Sequence, residues 1–103
     1  MPMKIMHDEN FDWVLEQIKN LASKYQINKI ILFGSRARKD NSNRSDIDLA
    51  VYTQDANAKI FFILDLEGIE TLLKFDVVFI DDNTSEKLLD EIKKDGVAIY
   101  EAK

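Results

Sequence analysis

Two aspartates spaced two apart, Asp46 and Asp48, stand at the start of the apolar run Ile47 to Tyr52. A third, Asp76, lies inside Phe75-Asp76-Val77-Val78-Phe79-Ile80. Apolar runs of this length read as strands, and residues two apart on a strand share a face. Asp46 and Asp48 are therefore expected to aim together, with Ile47 and Leu49 directed into the core. Like charges on one face raise each other's pKa unless a cation lies between them. Magnesium takes oxygen ligands and completes its shell with substrate phosphates. Three converging carboxylates suit two such ions at about 3.5–4 Å, the arrangement for in-line phosphoryl displacement.

Gly34-Ser35 closes another apolar run, Lys29 to Phe33. Glycine lets backbone approach a ligand, and a serine hydroxyl with nearby N–H groups can donate to phosphate oxygens. Each feature alone has an ordinary explanation. Asp-x-Asp pairs occur on solvated strand ends, and Gly-Ser ends many strands as a plain turn. A lone Asp within Val-Val-Phe-Ile needs a surface edge or a partner, since charges are seldom buried unpaired. The combination is more specific than its parts.

The elements that must position these residues follow from periodicity. Phe11, Val14, Leu15, Ile18, Leu21, Ala22 and Tyr25 mark one face of a first helix, with Asp8 and Glu9 near its start. The strand Lys29 to Phe33 follows, then a polar loop from Ala37 to Arg44 and the strand Ile47 to Tyr52. A helix is expected from about Asn57 to Leu73, broken or tightly packed at Gly68. The strand Phe75 to Ile80 comes next. Asn83 or Thr84 can cap a last helix carrying Leu88, Leu89 and Ile92, which ends near Lys93, Lys94 and Gly96. Val97 to Tyr100 reads as an edge strand. The first two strands are joined by a loop too short for a crossover helix, so they should be antiparallel. The expectation is an α/β (α+β) fold: one small domain over residues 1–103, with a mixed sheet of about four strands and helices packed on it.

Within the central helix, Ile60, Phe61, Leu64 and Leu72 are expected to cover the sheet. Phe62, Leu66, Ile69 and Leu73 form a second apolar stripe, either buried as well or left as an interface. His7 reads as part of a disordered end and Trp13 as a helix-surface or interface aromatic; neither is given a function.

Composition narrows the classes. The 103 residues carry a net charge of −5, which disfavours strong nonspecific nucleic-acid binding. Arg36, Arg38, Lys39 and Arg44 face only Asp40 between positions 36 and 45, a local excess of three positive charges. Such a cluster is either a solvated loop or a landing site for a small anion such as a triphosphate. Cysteine is absent, which excludes disulfides and thiolate metal sites. Met1 to Asn10 has no apolar core of signal-peptide length, and Ile60 to Leu64 is too short to span a bilayer. A cytoplasmic protein without a membrane partner is expected.

Written out, the motif is Phe33-Gly34-Ser35-Arg36-Ala37-Arg38, then Ser45-Asp46-Ile47-Asp48-Leu49-Ala50-Val51, with ten residues between Ser35 and Asp46. It resembles the signature of the DNA polymerase β-like nucleotidyltransferase superfamily, and within it the minimal nucleotidyltransferases (MNT). The resemblance covers nearly the whole chain, including the ending from Leu89 to Glu101. Many members carry Gly after the Arg-Ala-Arg element; here that position is Lys39.

The resemblance implies a transfer of a nucleoside monophosphate from a nucleoside triphosphate, ATP above all, to a hydroxyl. Asp46 and Asp48 would bind both magnesium ions. Asp76 would bind the catalytic ion and help deprotonate the attacking hydroxyl. Gly34, Ser35, Arg36 and Ser45 are the nucleotide-binding candidates, with Arg38 as a further source of positive charge. The chain has no room for an acceptor-gripping domain, so the acceptor must be small or brought by another protein. The resemblance points to a HEPN-domain toxin, with this chain as antitoxin adenylylating a tyrosine. Other readings are a non-catalytic antitoxin that sequesters its partner, a transferase for a small molecule, and a homodimer on the apolar stripe. The active-site assignment requires the three carboxylates to meet at one end of the sheet.

Overall fold

The structure, a computed structural model, describes residues 11–42 and 45–103. His7, Asp8 and Glu9 lie outside the described residues. Helix α1 (Phe11–Lys24) buries Val14, Ile18 and Ala22 at a spacing of four, one stripe of an amphipathic helix. It ends in a Schellman turn: Ile27 N–H donates to Ala22 C=O at 2.9 Å and Gln26 N–H to Ser23 C=O at 3.2 Å. Gln26 takes the left-handed position, φ 55°, that glycine usually fills there.

Strand β1 (Lys29–Phe33) leads into α2 (Ser35–Arg38), a single helical turn. The polar segment expected to be loop from Ala37 thus begins as helix. Strand β2 (Ile47–Tyr52), helix α3 (Ala56–Glu67), strand β3 (Phe75–Phe79), helix α4 (Glu86–Asp95) and strand β4 (Val97–Glu101) complete the order. The sheet runs β3-β2-β1-β4. Strand β1 is antiparallel to β2 and to β4, whereas β2 and β3 are parallel, so the sheet is mixed as expected.

Helix α3 begins under an Asp55 cap, whose carboxylate accepts the Asn57 and Ala58 N–H groups. It stops at Glu67 with Gly68 as C-cap, so residues 68–73, expected to be helical, are not. Helix α4 is capped by Ser85, which accepts from Leu88 N–H, rather than by Asn83 or Thr84. Those two residues are held in a turn by Asp81, which receives the Asn83 N–H and donates its own N–H to Thr84 Oγ1.

The core lies between the sheet and the α1–α3 pair. Ile30, Leu32, Ile47, Leu49 and Val51 line the sheet side, and Phe75, Val77 and Phe79 extend it onto β3. Opposite them stand Ala58, Phe62 and Leu66, one face of α3 at a spacing of four, with Leu73. This reverses the expected faces of α3: Ile60, Phe61, Leu64 and Leu72 are exposed at 49–69%. Both stripes are apolar, so hydrophobicity alone does not choose. The choice is tied to Asp65, which accepts hydrogen bonds from Tyr25 Oη and from Lys24 Nζ at α1. With Asp65 facing α1, Leu66 is buried and Leu64 is exposed. Trp13 is partly buried against this core.

Candidate active site

The topology brings the motif residues to one end of the sheet. Because β1 and β2 are antiparallel, the C-terminal end of β1 meets the N-terminal end of β2, and Phe33 pairs with Asp48. Because β2 and β3 are parallel, their N-terminal ends lie side by side, and Asp48 pairs with Asp76. Phe33, Asp48 and Asp76 therefore stand in a row across three strands, with Gly34 just beyond the end of β1 and against Asp48. Strand parity places Asp48 and Asp76 on the face opposite the α1–α3 core, since Ile47, Leu49, Phe75 and Val77 take the core face.

Asp48 is half-buried, while Asp46 and Asp76 are exposed. The Asp48 pKa is pushed up to about 6, first by burial, then by repulsion from Asp76 and Asp46 and a hydrogen bond with Asp76, against a smaller opposing pull from Arg38. Three carboxylates thus share one electrostatic environment. Among the described residues, no three acidic, imidazole or thiolate groups stand in a ready-made metal cluster. Asp48 and Asp76 are within hydrogen-bonding reach of each other, and Asp46 acts on Asp48 through its charge alone. The donor set, all carboxylate oxygen, fits magnesium, and a divalent ion would remove the repulsion that raises Asp48.

Gly34 is fixed by this crowding. Its φ of 77° and ψ of −159° fall in a region that is essentially glycine's alone. A Cβ there would also collide with the Asp48 carboxylate, coming 3.0 Å from its Cγ. The glycine therefore permits the half-buried Asp48 side chain to lie against the β1–α2 turn. Ser35 opens α2 directly beyond it. Lys39 ends α2 in the left-handed conformation, φ 65° and ψ 28°. The turn that glycine commonly makes in the resembling proteins is made here by lysine.

Arg36 and Ser45 are brought together, but by each other. Arg36 is only 7% exposed. Its Nε donates to the Ser45 carbonyl at 3.0 Å, and its guanidinium lies 4.6 Å from the Phe11 ring centre. Burial lowers its pKa from the ordinary arginine value. Ser45 Oγ accepts the Ser42 N–H at 3.0 Å, pinning the loop before Asp46. Arg38 is more open and reaches Asp40 at 3.1 Å and Asp95 at 3.4 Å. Sequence reasoning missed Phe11 as the platform for Arg36 and the Gly34–Asp48 contact. The first carries no local sequence signal; for the second, a glycine directly after a strand is the signal that could have pointed to it. A cavity of about 430 Å³ lies elsewhere, under α3 beside Ile63, Leu73, Phe75 and Val77, on the core side of the sheet.

The fold is that of a nucleotidyltransferase. Residues 16–103 match the family described as polymerase beta, nucleotidyltransferase, and the chain belongs to that family. No curated protein matches the sequence significantly. Among solved structures, one chain of a toxin–antitoxin complex with AMP-PNP superposes with a TM-score of 0.66 at 22% identity, covering 86% of this chain and 74% of that one. A chain from the tri-AMPylated Shewanella oneidensis HEPN toxin in complex with MNT antitoxin gives 0.61 at 21% identity, covering 88% and 72%. A structure assigned to a minimal nucleotidyltransferase gives 0.66 at 21% identity, covering 92% and 98%. At these identities the likeness establishes the fold. Among the described residues no helix is long and apolar enough to cross a membrane.

Proposed function

We propose that the chain transfers AMP from ATP, with magnesium, to a hydroxyl of a partner protein, a tyrosine of a HEPN-domain toxin, and so acts as an antitoxin. The observation that carries this reading is the pair Asp48 and Asp76, side by side on β2 and β3 beside Gly34 and acted on by the Asp46 charge, in a nucleotidyltransferase fold. The solved complexes of similar fold, one with AMP-PNP and one with an AMPylated HEPN toxin, support the nucleotide and the partner.

Asp46, Asp48 and Asp76 would hold magnesium, which when bound would neutralise phosphate charge in an in-line displacement. Gly34 leaves room for the Asp48 carboxylate against the β1–α2 turn, beside which the phosphates would lie. The Ser35 hydroxyl donates to a phosphate oxygen. Asp76, the exposed acid on the outer strand, would take the proton from the incoming hydroxyl. The α-phosphorus–oxygen bond to the acceptor forms as the bond to pyrophosphate breaks.

The test is transfer of label to a HEPN-domain partner recovered with the chain from its native cells. ATP labelled at the α-phosphate should mark the partner; ATP labelled at the γ-phosphate should not. Label from the γ-position would identify a kinase and overturn the assignment. A second reading, sequestration without chemistry, draws on the exposed stripe Ile60, Phe61 and Leu64 of α3, which offers a partner an apolar surface.

A further inference from the structure

We propose that Arg36 is a positioning residue: it holds the Ser45 carbonyl and so fixes the backbone that presents Asp46 and Asp48, rather than contacting phosphate itself. The inference rests on the nucleotidyltransferase reading and concerns how its acids are aimed.

Asp46 precedes β2 and is not held by the strand ladder. Two anchors flank it. On its C-terminal side, Ile47 N–H donates to Lys74 C=O at 2.8 Å, the first link to the β3 side. On its N-terminal side, the Ser45 carbonyl receives Arg36 Nε at 3.0 Å. Without the Arg36 bond, Ser45 is held among the described residues only to nearby Ser42, through Ser45 N–H to Ser42 C=O at 3.3 Å and Ser42 N–H to Ser45 Oγ at 3.0 Å, and no longer to α2. The Arg36 end is itself fixed, because α2 follows directly from β1 and the guanidinium lies on the Phe11 ring of α1. The clamp therefore joins α1, α2 and the loop entering β2.

A guanidinium can donate in its plane while its face lies on a ring; an ammonium has no such plane. A residue meant to meet an incoming triphosphate should be open to solvent, and Arg36 is 7% exposed. Arg38, with 45% of its side chain exposed, is the more accessible cation beside the acids.

The test uses Arg36→Lys, Arg36→Met and Phe11→Leu in the whole chain, with two readouts. The first is the magnesium concentration that gives half of the ATP-dependent rise in Tm. The second is amide hydrogen exchange at Ser45 and Asp46. Losing a hydrogen bond from a charged donor should raise the magnesium requirement and speed exchange by about tenfold or more in both Arg36 variants. The ATP shift at saturating magnesium should be retained. Phe11→Leu should move both readouts the same way by less, and it decides the matter if Arg36→Met fails to fold. The proposal is overturned if Arg36→Lys keeps the wild-type magnesium requirement while Arg36→Met loses ATP binding even at saturating magnesium, the signature of a phosphate contact. Unchanged exchange at Ser45 and Asp46 in the folded variants overturns it as well. A wild-type chain with no magnesium-dependent ATP shift would instead contradict the nucleotidyltransferase reading, while exchange would still report the hold on Ser45.

Discussion

The two faces of the sheet are built to different ends. Toward α1 and α3, Ile30, Ile47, Leu49 and Val51 are fully buried against Phe62 and Leu66, with apolar side chains at every strand position. On the other face, at the β1–β2–β3 end, a half-buried acid stands beside two more, and a glycine takes a conformation other residues avoid. The first face stabilises the fold. The second carries a repulsion that a stable fold does not need, a pattern that accompanies sites kept for chemistry.

Substitutions should separate the faces. On the core face, Phe62→Ala should cost about 3–5 kcal/mol in chemical denaturation, whereas Phe61→Ala, one residue away but exposed, should cost under about 1 kcal/mol. Equal losses would mean that α3 is rotated from the arrangement described. At the site, Gly34→Ala should cost about 2 kcal/mol from its backbone conformation and its collision with Asp48. Adding Asp48→Ala should recover about 1 kcal/mol of that, because contacting residues are not additive. Strict additivity would deny the contact.

A pH series sharpens the contrast. The Asp48 pKa lies near 6 in the folded chain against an ordinary 3.8. The folded state therefore holds this proton more tightly than the unfolded state, and Asp48's contribution to stability falls as pH rises from about 4 to about 6. Asp48→Asn does not titrate. Measured without magnesium, its stability relative to wild type should improve by on the order of 1 kcal/mol between pH 4 and pH 7, allowing for solvent screening. A constant difference across that range would show that Asp48 is not perturbed. The smallest effect is expected at Lys39: replacing it with Gly relieves the left-handed conformation and should raise stability by roughly 0.5–1 kcal/mol. No gain in Tm would place the turn's strain elsewhere.

Much of this was legible in the chain itself. Apolar runs mark four strands along the chain, and the short connection between the first two implies the antiparallel pair that brings Gly34 to Asp48; the sheet order β3-β2-β1-β4 was not legible. The spacing of two placed Ile47 and Leu49 in the core. What could not be read depended on contacts distant in sequence. The face that α3 buries could not be chosen from two apolar stripes; Asp65 meeting Tyr25 and Lys24 accompanies the outcome. Arg36 reads as a phosphate ligand from its motif, and only its burial under Phe11 and its bond to Ser45 point to another task. Helix ends shifted for local reasons, with Gly68 stopping α3 and Ser85 capping α4.

The central claim, that the acid face exists for nucleotidyl transfer, is tested most directly by Asp76→Asn. Asp76 is exposed on an outer strand, so folding and binding to the proposed HEPN-domain partner should survive its loss. Transfer of α-labelled AMP to that partner should fall by at least about 10²–10⁴-fold, the scale of a lost general base. Protection of cells from the partner should be lost together with the label. A variant that binds, transfers no label and still protects fully would contradict a catalytic role for these acids in the protein's biology.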